Sequence, residues 1–182
     1  MKHSKLKIET EIDGVFLLKL PYYTDKRGVF CKIYNFEYSK NLGLPFLCHE
    51  SFFTISMANV IRGMHFQIYP HEQYKIASVV SGKIIDVVLD LRKESNTYGN
   101  HLTFELSNNN ARAIFISPGI AHGFCSLEDN TIVNYIVSSV YAPEHDLGIH
   151  WNSFGYKWPV TNPILSDRDS QHPSFSDFET MF

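Results

Sequence analysis

The chain has 182 residues, of which 44% are hydrophobic and 19% charged, and its formal net charge is −3 at pH 7. This size favours a single domain, residues 1–182, and the absence of a basic excess argues against binding to nucleic acid. The longest apolar runs are far shorter than the roughly 20 residues that span a bilayer, so no membrane segment is expected. The first residues, MKHSKLKIETEIDG, contain no apolar stretch typical of a secretory signal.

The three cysteines, Cys31, Cys48 and Cys125, are widely separated and form no CxxC pair. An odd number at such spacing argues against a disulfide framework, and each cysteine is expected to be a small buried hydrophobic residue. The protein is therefore expected in a reducing compartment, the cytoplasm.

Segments in which apolar and polar residues alternate recur along the chain, with turn residues between them, and this pattern predicts β-strands. In chain order these segments are GVFLLKL (14–20), GVFCKIY (28–34), FFTISMANVI (52–61), QYKIASVV (73–80), KIIDVVLDL (83–91), NHLTFEL (100–106), RAIFIS (112–117) and TIVNYIVSSV (131–140). Ser81-Gly82 predicts a β-hairpin, whereas NNNAR and SPGIAHG predict connections rich in turns. FEYSKNLG predicts a helix that Gly43 terminates.

Many short strands at regular spacing predict an all-β fold, either a sandwich or a barrel, with the jelly roll among the options. The chain from Tyr141 onward is poor in strand signals and rich in Pro, Asp, Ser and Trp. This part is expected to cover the barrel and to contain a short helix, not to form a second domain.

Three polar side chains fall on strand faces that are otherwise apolar. Each shares its face with two apolar neighbours: Lys75 with Ala77 and Val79, Asp86 with Ile84 and Val88, and Tyr135 with Val133 and Val137. Taken singly, each has an ordinary explanation, such as a lysine reaching out of a strand edge or a packed tyrosine with a bonded hydroxyl. As a set on inward faces they indicate a polar cavity inside the barrel.

The stretch VIRGMHFQIYP, residues 60–70, places Arg62 and His65 in a half-buried strand. By simple alternation His65 shares a face with Ile61 and Gln67, and Arg62 points to the other side. A bulge or kink at Gly63 would bring Arg62 and His65 to one cavity. Taken alone, His65 is more simply a hydrogen-bonded core histidine.

No motif indicates a metal or a nucleotide loop. Small β-barrels often hold a metal with two histidines one residue apart, but Gln67 stands in the second position after His65. The nine histidines show no HxH, HExxH or zinc spacing, and GxSxG, GxGxxG and GxxxxGK[ST] are absent. We therefore expect neither a metal nor a cofactor.

Six motifs follow one another with natural spacing: DKRGVF (25–30), VIRGMHFQ (60–67), QYKIASVVSGKIIDVVLDLR (73–92), SPGIAHGF (117–124), YAPEHDLGIHWN (141–152) and PILSDRD (163–169). Together they resemble the dTDP-4-dehydrorhamnose 3,5-epimerase family from about Asp13 to Asp169, nearly the whole chain. The resemblance implies a cofactor-free, cupin-like jelly-roll homodimer. It would bind a nucleotide-linked 4-keto-6-deoxy sugar and invert configuration beside the ketone.

The resemblance also implies roles in catalysis. Carried over position by position, His65 resembles the catalytic base and Asp169 the carboxylate that orients it. Tyr135 matches the tyrosine that acts on the opposite face of the sugar, and Lys75 matches the lysine near the developing oxyanion. These types suit the reaction, since histidine titrates near neutral pH and a cation stabilises an enolate oxygen.

The remaining matches concern substrate binding. Arg62 matches an arginine that holds the diphosphate, and Arg27 a nucleotide-side arginine that the partner subunit often supplies. The guanidinium fork suits phosphate oxygens. His122 and Asp86 match polar positions in the cavity.

The sequence departs from the family pattern on the side expected to face the nucleotide. Lys32 stands where glutamate is common, Val29 where phenylalanine is common, and Val140 where an aromatic residue is frequent. Glu50 and Phe52 take the positions of a QxN pattern. The changes therefore predict a nucleotide other than dTDP.

A GDP-linked 4-keto-6-deoxy heptose or hexose is the preferred substrate, for capsule or surface polysaccharide synthesis, with dTDP-4-dehydrorhamnose as the alternative. Glu50 and Gln67 are counted among the residues that bind it. Two other hypotheses remain open: a non-catalytic sugar-binding β-barrel, and an isomerase that moves the ketone between carbons 3 and 4.

Overall fold

The structure, a computed structural model, describes residues 6–44 and 48–182. Its strands are β1 (Lys7–Glu9), β2 (Val15–Lys19), β3 (Tyr22–Asp25), β4 (Gly28–Cys31), β5 (Glu50–Ser56), β6 (Ile61–Gln67), β7 (Lys75–Ser81), β8 (Lys83–Asp90), β9 (His101–Ser107), β10 (Arg112–Ile116), β11 (Ile120–Ser126), β12 (Thr131–Val137) and β13 (Asp146–Gly148). The α-helices are α1 (Phe36–Asn41) and α2 (Asp167–Ser170). Within these ranges no helix has the length and apolar character needed to cross a membrane.

Two antiparallel sheets form the body of the fold. The six-stranded sheet has the order β1-β2-β10-β7-β12-β5, and the five-stranded sheet has the order β13-β6-β11-β8-β9. Most neighbouring strands are distant in sequence, as in a jelly roll, so the predicted fold class is confirmed. Within the described ranges β3 and β4 pair only with each other, and we call this hairpin, residues 22–31, the arm.

The core between the sheets is built from side chains that alternate along the central strands. One buried cluster contains residues from β7, β8 and β12, among them Ala77, Ile84 and Val133. Lys75, Asp86 and Tyr135 lie two residues from these positions and therefore share their inward faces. The alternation in the sequence predicted this placement correctly.

The pairing between β6 and β11 shifts by one residue at Gly63. His65 lies opposite His122, but Arg62 lies opposite Phe124, so two residues of β6 oppose a single residue of β11. Gly63 has a φ of +124°, and a side chain on it would overlap the backbone of β11. The bulge predicted at Gly63 is present, and it removes the alternation that would have separated Arg62 from His65.

The outer face of the five-stranded sheet carries a second apolar cluster that includes Ile61, Met64 and Phe66. Residues 149–182, which we call the cover, pack on this cluster with Phe154, Trp158 and several other aromatic side chains. Simple alternation had predicted Ile61 on the same face as His65. Because of the bulge, Ile61 lies instead on the outer face. The predicted covering segment with a short helix, α2, is confirmed.

Two predicted connections are wrong. Ser81-Gly82 does not form a hairpin, because β7 pairs with β10 and β12, whereas β8 pairs with β9 and β11. Gly82, with a φ of +81°, instead takes the chain from one sheet to the other. SPGIAHG was predicted to be a connection, but Ile120–Ser126 forms β11, a strand buried on both faces. Such a strand shows no alternation of apolar and polar residues.

The predicted helix is present as α1, and the Asn35 side chain caps it by accepting a hydrogen bond from the Tyr38 N–H. Gly43 follows the helix with a φ of +69°, as expected for a glycine that ends it. All three cysteines are free: Cys125 is buried, as expected, Cys31 is half-buried, and Cys48 is exposed, contrary to the expectation.

Candidate active site

His65 and Asp169 form a hydrogen-bonded pair. His65 Nε2 lies 2.7 Å from Asp169 Oδ1, and Asp169 Oδ2 accepts a hydrogen bond of 3.1 Å from the Gly63 N–H. Burial by itself would raise the pKa of the Asp169 carboxyl, but the nearby His172 imidazole and the hydrogen bonds from His65 and Gly63 outweigh it and hold that pKa well below its usual range. The resulting carboxylate can keep the proton of His65 on Nε2, which leaves Nδ1 as the nitrogen that accepts another proton.

Local features of the sequence hold this pair together. Ser166 caps α2 by accepting a hydrogen bond from the Asp169 N–H, which fixes the turn that carries the carboxylate. Arg168 of the same helix forms an ion pair of 2.7 Å with Asp146 on β13. Since β13 pairs with β6, these contacts join the cover to the strand that carries His65.

His122 and Asp86 form a second pair on the neighbouring strands β11 and β8. His122 Nε2 lies 2.8 Å from Asp86 Oδ2, and both side chains are buried. Burial lowers the pKa of His122 and outweighs the opposite effect of Asp86, so this imidazole is neutral near pH 7. Asp86 Oδ1 has no hydrogen-bond partner among the described residues, so the carboxylate keeps one acceptor available.

Tyr135 on β12 stacks on Phe52, with the ring centroids 4.8 Å apart, and lies edge-on to His122. Burial and the negative charge of Asp86 raise the pKa of Tyr135 far above its usual value, against a smaller opposite effect of Arg62. The phenol therefore keeps its proton over the whole physiological range, as a group that donates a proton to a carbanion must.

Lys75 lies at the start of β7, half-buried beside acidic side chains. Burial lowers the pKa of its ammonium group to about 8, against the opposite effects of Asp146 and Asp86. Lys75 is therefore mostly protonated at neutral pH and supplies a positive charge to its surroundings.

A cavity of about 210 Å³ brings several predicted residues together. Four of them line it: His65, Lys75, Glu50 and Gln67. The rest of the wall consists of Phe52, whose position was expected to face the nucleotide, and of residues for which the sequence had predicted no role in the site: Gln73, Val137, Ser139, Tyr141 and Asp146. Asp146 belongs to the motif YAPEHD, so the charge in that motif was a signal that could have identified it.

Gln67 has a structural role in the cavity wall. Its side chain is 2% exposed, and its Nε2 donates to the carbonyl oxygens of His71 and Val140. Its Oε1 accepts a hydrogen bond from the Ala142 N–H. Because these hydrogen bonds tie its side chain to the backbone, Gln67 holds the cavity wall in place, and its contact with substrate stays a prediction. Glu50 Oε2 likewise accepts a hydrogen bond of 2.8 Å from the N–H of Tyr141, another residue of the wall.

The two predicted arginines differ in their position. Arg62 Nε donates to Ser56 Oγ at 3.0 Å, and its positive charge lowers the pKa of the Tyr135 phenol, but Arg62 is not among the residues of the cavity wall. Arg27 lies on the arm with a side chain that is 84% exposed and pairs with Asp25 at 2.6 Å. It is not among the residues of the cavity wall. The structure does not bring Arg27 to the site within one chain.

His172, which sequence reasoning did not select, lies next to the His65–Asp169 pair. Its Nε2 is 3.6 Å from Asp169 Oδ1, and the three residues present ligand atoms within 4.8 Å of one another. Such a set can also hold a metal ion, and the absence of a metal from the reaction stays a prediction. His172 follows Asp169 by three residues in the sequence, and this spacing was the signal that could have identified it.

Comparison with known proteins gives consistent results. A family model described as dTDP-4-dehydrorhamnose 3,5-epimerase matches residues 9–177. The dTDP-4-dehydrorhamnose 3,5-epimerase of Methanothermobacter thermautotrophicus is 40% identical over 167 residues, which cover 89% of this chain and 90% of that protein.

Two solved structures are similar over almost the full length. The dTDP-4-dehydrorhamnose 3,5-epimerase of Bacillus anthracis with TDP and PPi bound has a TM-score of 0.89 and 40% identity, over 92% of this chain and 98% of that one. The dTDP-6-deoxy-D-glucose-3,5-epimerase of Legionella pneumophila, in complex with dTDP-4-keto-L-rhamnose, has a TM-score of 0.89 and 30% identity, over 95% and 94%.

The match to the family model extends over the jelly roll and most of the cover, and includes every motif that carried the resemblance. The relatives agree with it in sequence and in fold. The chain is a carbohydrate epimerase that belongs to the dTDP-4-dehydrorhamnose 3,5-epimerase family.

Proposed function

We propose that the protein inverts carbons 3 and 5 of a dTDP-linked 4-keto-6-deoxy sugar through an enolate. The observation that carries the proposal is the His65–Asp169 pair at a cavity that Lys75 also lines. Both carbons lie next to the carbon-4 ketone, so loss of a proton from either places negative charge on oxygen 4. One base, one acid and one cation can therefore serve both inversions.

His65 is the base in this mechanism. Its Nδ1 takes the proton from carbon 3 or carbon 5 while Nε2–H stays bonded to Asp169, whose charge stabilises the imidazolium that forms. The electron pair of the C–H bond becomes the double bond to carbon 4, and the carbonyl pair moves to oxygen 4. Tyr135 then donates its proton to the opposite face of the carbon, the ketone re-forms, and solvent restores both groups.

Lys75 stabilises the enolate oxygen, and its titration should be visible in the kinetics. The cation is present below its pKa of about 8 and is lost above it, so we expect kcat/KM to fall as the pH rises through that value. Lys75→Met should lower kcat/KM roughly 100- to 1,000-fold. Lys75→Arg should retain part of the activity and keep it at alkaline pH.

The measurement is the pH profile of kcat/KM from about pH 6 to 10 for each variant. Lys83→Met is the matched control, because Lys83 lies on β8 in an ion pair with Glu105. If kcat/KM of Lys75→Arg still declines at the same alkaline pH, the titration of another group causes that decline.

The names of the family and of the relatives support dTDP as the nucleotide. They give no support to the GDP-linked heptose or to the capsule role that the departures in sequence favoured. Two of the departures, Val29 and Lys32, lie on the arm or just after it and do not line the cavity of their own chain. Glu50 and Phe52 do line it, so these two residues are where an altered nucleotide preference would arise.

Turnover of dTDP- and GDP-linked 4-keto-6-deoxy sugars, measured side by side, tests the nucleotide. We expect kcat/KM to be at least about 10-fold higher with dTDP, a difference of roughly 1.4 kcal/mol in transition-state binding. A preference for GDP would restore the first hypothesis. Solvent deuterium at carbons 3 and 5, read by NMR, shows which carbons are inverted.

The proposal includes a homodimer in which the arm reaches the partner's site. Tyr23 and Phe30 of the arm are 62% and 60% exposed, and Phe53 and Ile55 of β5 are 64% and 53% exposed. β5 is the edge strand of its sheet, and exposed apolar side chains on a bare edge favour association with another chain. Arg27 at the tip of the arm would then contact the nucleotide of the partner.

The proposed setting is the cytoplasm. Its support is the set of free cysteines, one of them exposed, which a reducing compartment keeps as thiols. A cell-fractionation blot measures this directly.

A further inference from the structure

The His172 imidazole occupies a defined position beside the catalytic pair. Its Nε2 faces Asp169 Oδ1, the same oxygen that pairs with His65 Nε2, at 3.6 Å and 2.7 Å respectively. The His172 side chain is 10% exposed, and its ring stands edge-on to the His65 ring with the centroids 5.7 Å apart. Its Nε2 has no hydrogen-bond partner in the described part of the chain, and the 3.6 Å to Asp169 Oδ1 is slightly longer than a hydrogen bond.

Gly148 makes room for this ring. Gly148 lies on β13 opposite His65, and a Cβ at this position would overlap three atoms of the His172 imidazole, Nε2 among them. The φ of Gly148 lies outside the left-handed region, so its backbone does not require a glycine. The absence of a side chain at this position is explained by the space that His172 occupies.

The surroundings of Asp169 contain few other charges. Among the described residues, His65 from β6 and His172 from the segment after α2 lower the pKa of its carboxyl, together with the Gly63 N–H. Arg168 of α2 is directed to Asp146 on β13. The carboxylate charge is therefore shared between two imidazoles.

We propose that His172 is a positioning residue: its Nε2–H attracts Asp169 Oδ1, holds the carboxylate in place, and limits how strongly Asp169 stabilises the protonated form of His65. This inference rests on the proposed function of His65 as the base. Without the His172 donor, the carboxylate charge acts on His65 alone and favours its imidazolium. The base then stays protonated to higher pH, and its orientation is less well fixed.

The first test follows His65 in the protein without substrate, by NMR titration of the histidine ring signals. In His172→Phe we expect the midpoint of the His65 titration to move to higher pH by about 0.5 or more. Gly148→Ala should move it in the same direction, because the new methyl group displaces the His172 ring while both members of the catalytic pair remain. His172→Gln, which keeps an N–H donor, should resemble the unchanged protein.

The second test is the pH profile of kcat/KM. His172→Phe and Gly148→Ala should each lower kcat/KM roughly 3- to 30-fold near neutral pH, through kcat and not KM, and the double variant should resemble the single ones because both act on one contact. The acid limb should move to higher pH in parallel with the NMR midpoint. His101→Phe is the matched control, since His101 also stands edge-on to neighbouring rings.

An unmoved His65 midpoint in both His172→Phe and Gly148→Ala would overturn the inference, as would additive effects of the two substitutions on kcat/KM. A different result would refute the proposed function: the unchanged protein would exchange no deuterium into any 4-keto nucleotide sugar. The NMR titration decides the role of His172 in either case.

Discussion

His65→Asn should abolish the incorporation of solvent deuterium at carbons 3 and 5, while binding of the nucleotide sugar stays nearly unchanged. The asparagine side chain can still bond to Asp169, but it has no basic nitrogen that could take a proton from carbon. A general base contributes roughly 100- to 10,000-fold to the rate, and here one base serves both carbons. Deuterium exchange by NMR and calorimetric titration with the dTDP sugar measure the two quantities separately.

His101→Asn is the control for this substitution, because His101 on β9 is outside the cavity wall. Turnover of His65→Asn close to that of the unchanged protein would show that another group is the base. Analysis of the product of the unchanged protein also tests the remaining alternative, since an isomerase would leave the ketone at carbon 3.

An equal mixture of Arg27→Ala and His65→Asn chains, unfolded and refolded together, should recover about one quarter of the activity of the unchanged protein. Half of the dimers in such a mixture contain one chain of each kind. If the arm serves the partner, one site of each mixed dimer carries both substitutions and the other site carries neither. Each variant alone should have little activity, because every site then lacks either the base or the nucleotide-side arginine.

The matched control is a mixture of His65→Asn with Asp169→Asn, two residues that pair within one chain. Every site in that mixed dimer carries one substitution, so no activity should return. If the first mixture recovers no more than the control, Arg27 does not act across a dimer. Light scattering of each refolded sample measures whether dimers have formed.

The inward faces of the central strands were predictable because alternation along a half-buried strand is a local property. Lys75, Asp86 and Tyr135 could be placed from their neighbours alone, and the need for a bulge at Gly63 followed from the charges on either side of it. β11 was not predicted, because a strand buried on both faces shows no alternation of apolar and polar residues. The turn at Gly82 was misjudged because the same glycine conformation suits a hairpin or a change of sheet.

The parts of the site that the sequence left out depend on contacts between distant segments. The position of His172 depends on the path of the cover and on the empty space above Gly148, and neither is a local property. The resemblance suggested Asp169, but only the fold shows how Ser166 and Arg168 hold it against β6 and β13. The structural role of Gln67 was not predicted, because its backbone partners lie on loops whose position alternation cannot give.

The origin of Asp169 in the cover has a consequence for biosynthesis. The ribosome makes the strands β1–β13 before it makes α2, so His65 emerges well ahead of Asp169. The segment that shields the apolar outer sheet from water also carries Asp169, the partner of His65. A chain interrupted before α2 lacks Asp169 and the last aromatic residues of the cover, so we expect it to be inactive and to expose apolar surface of the outer sheet.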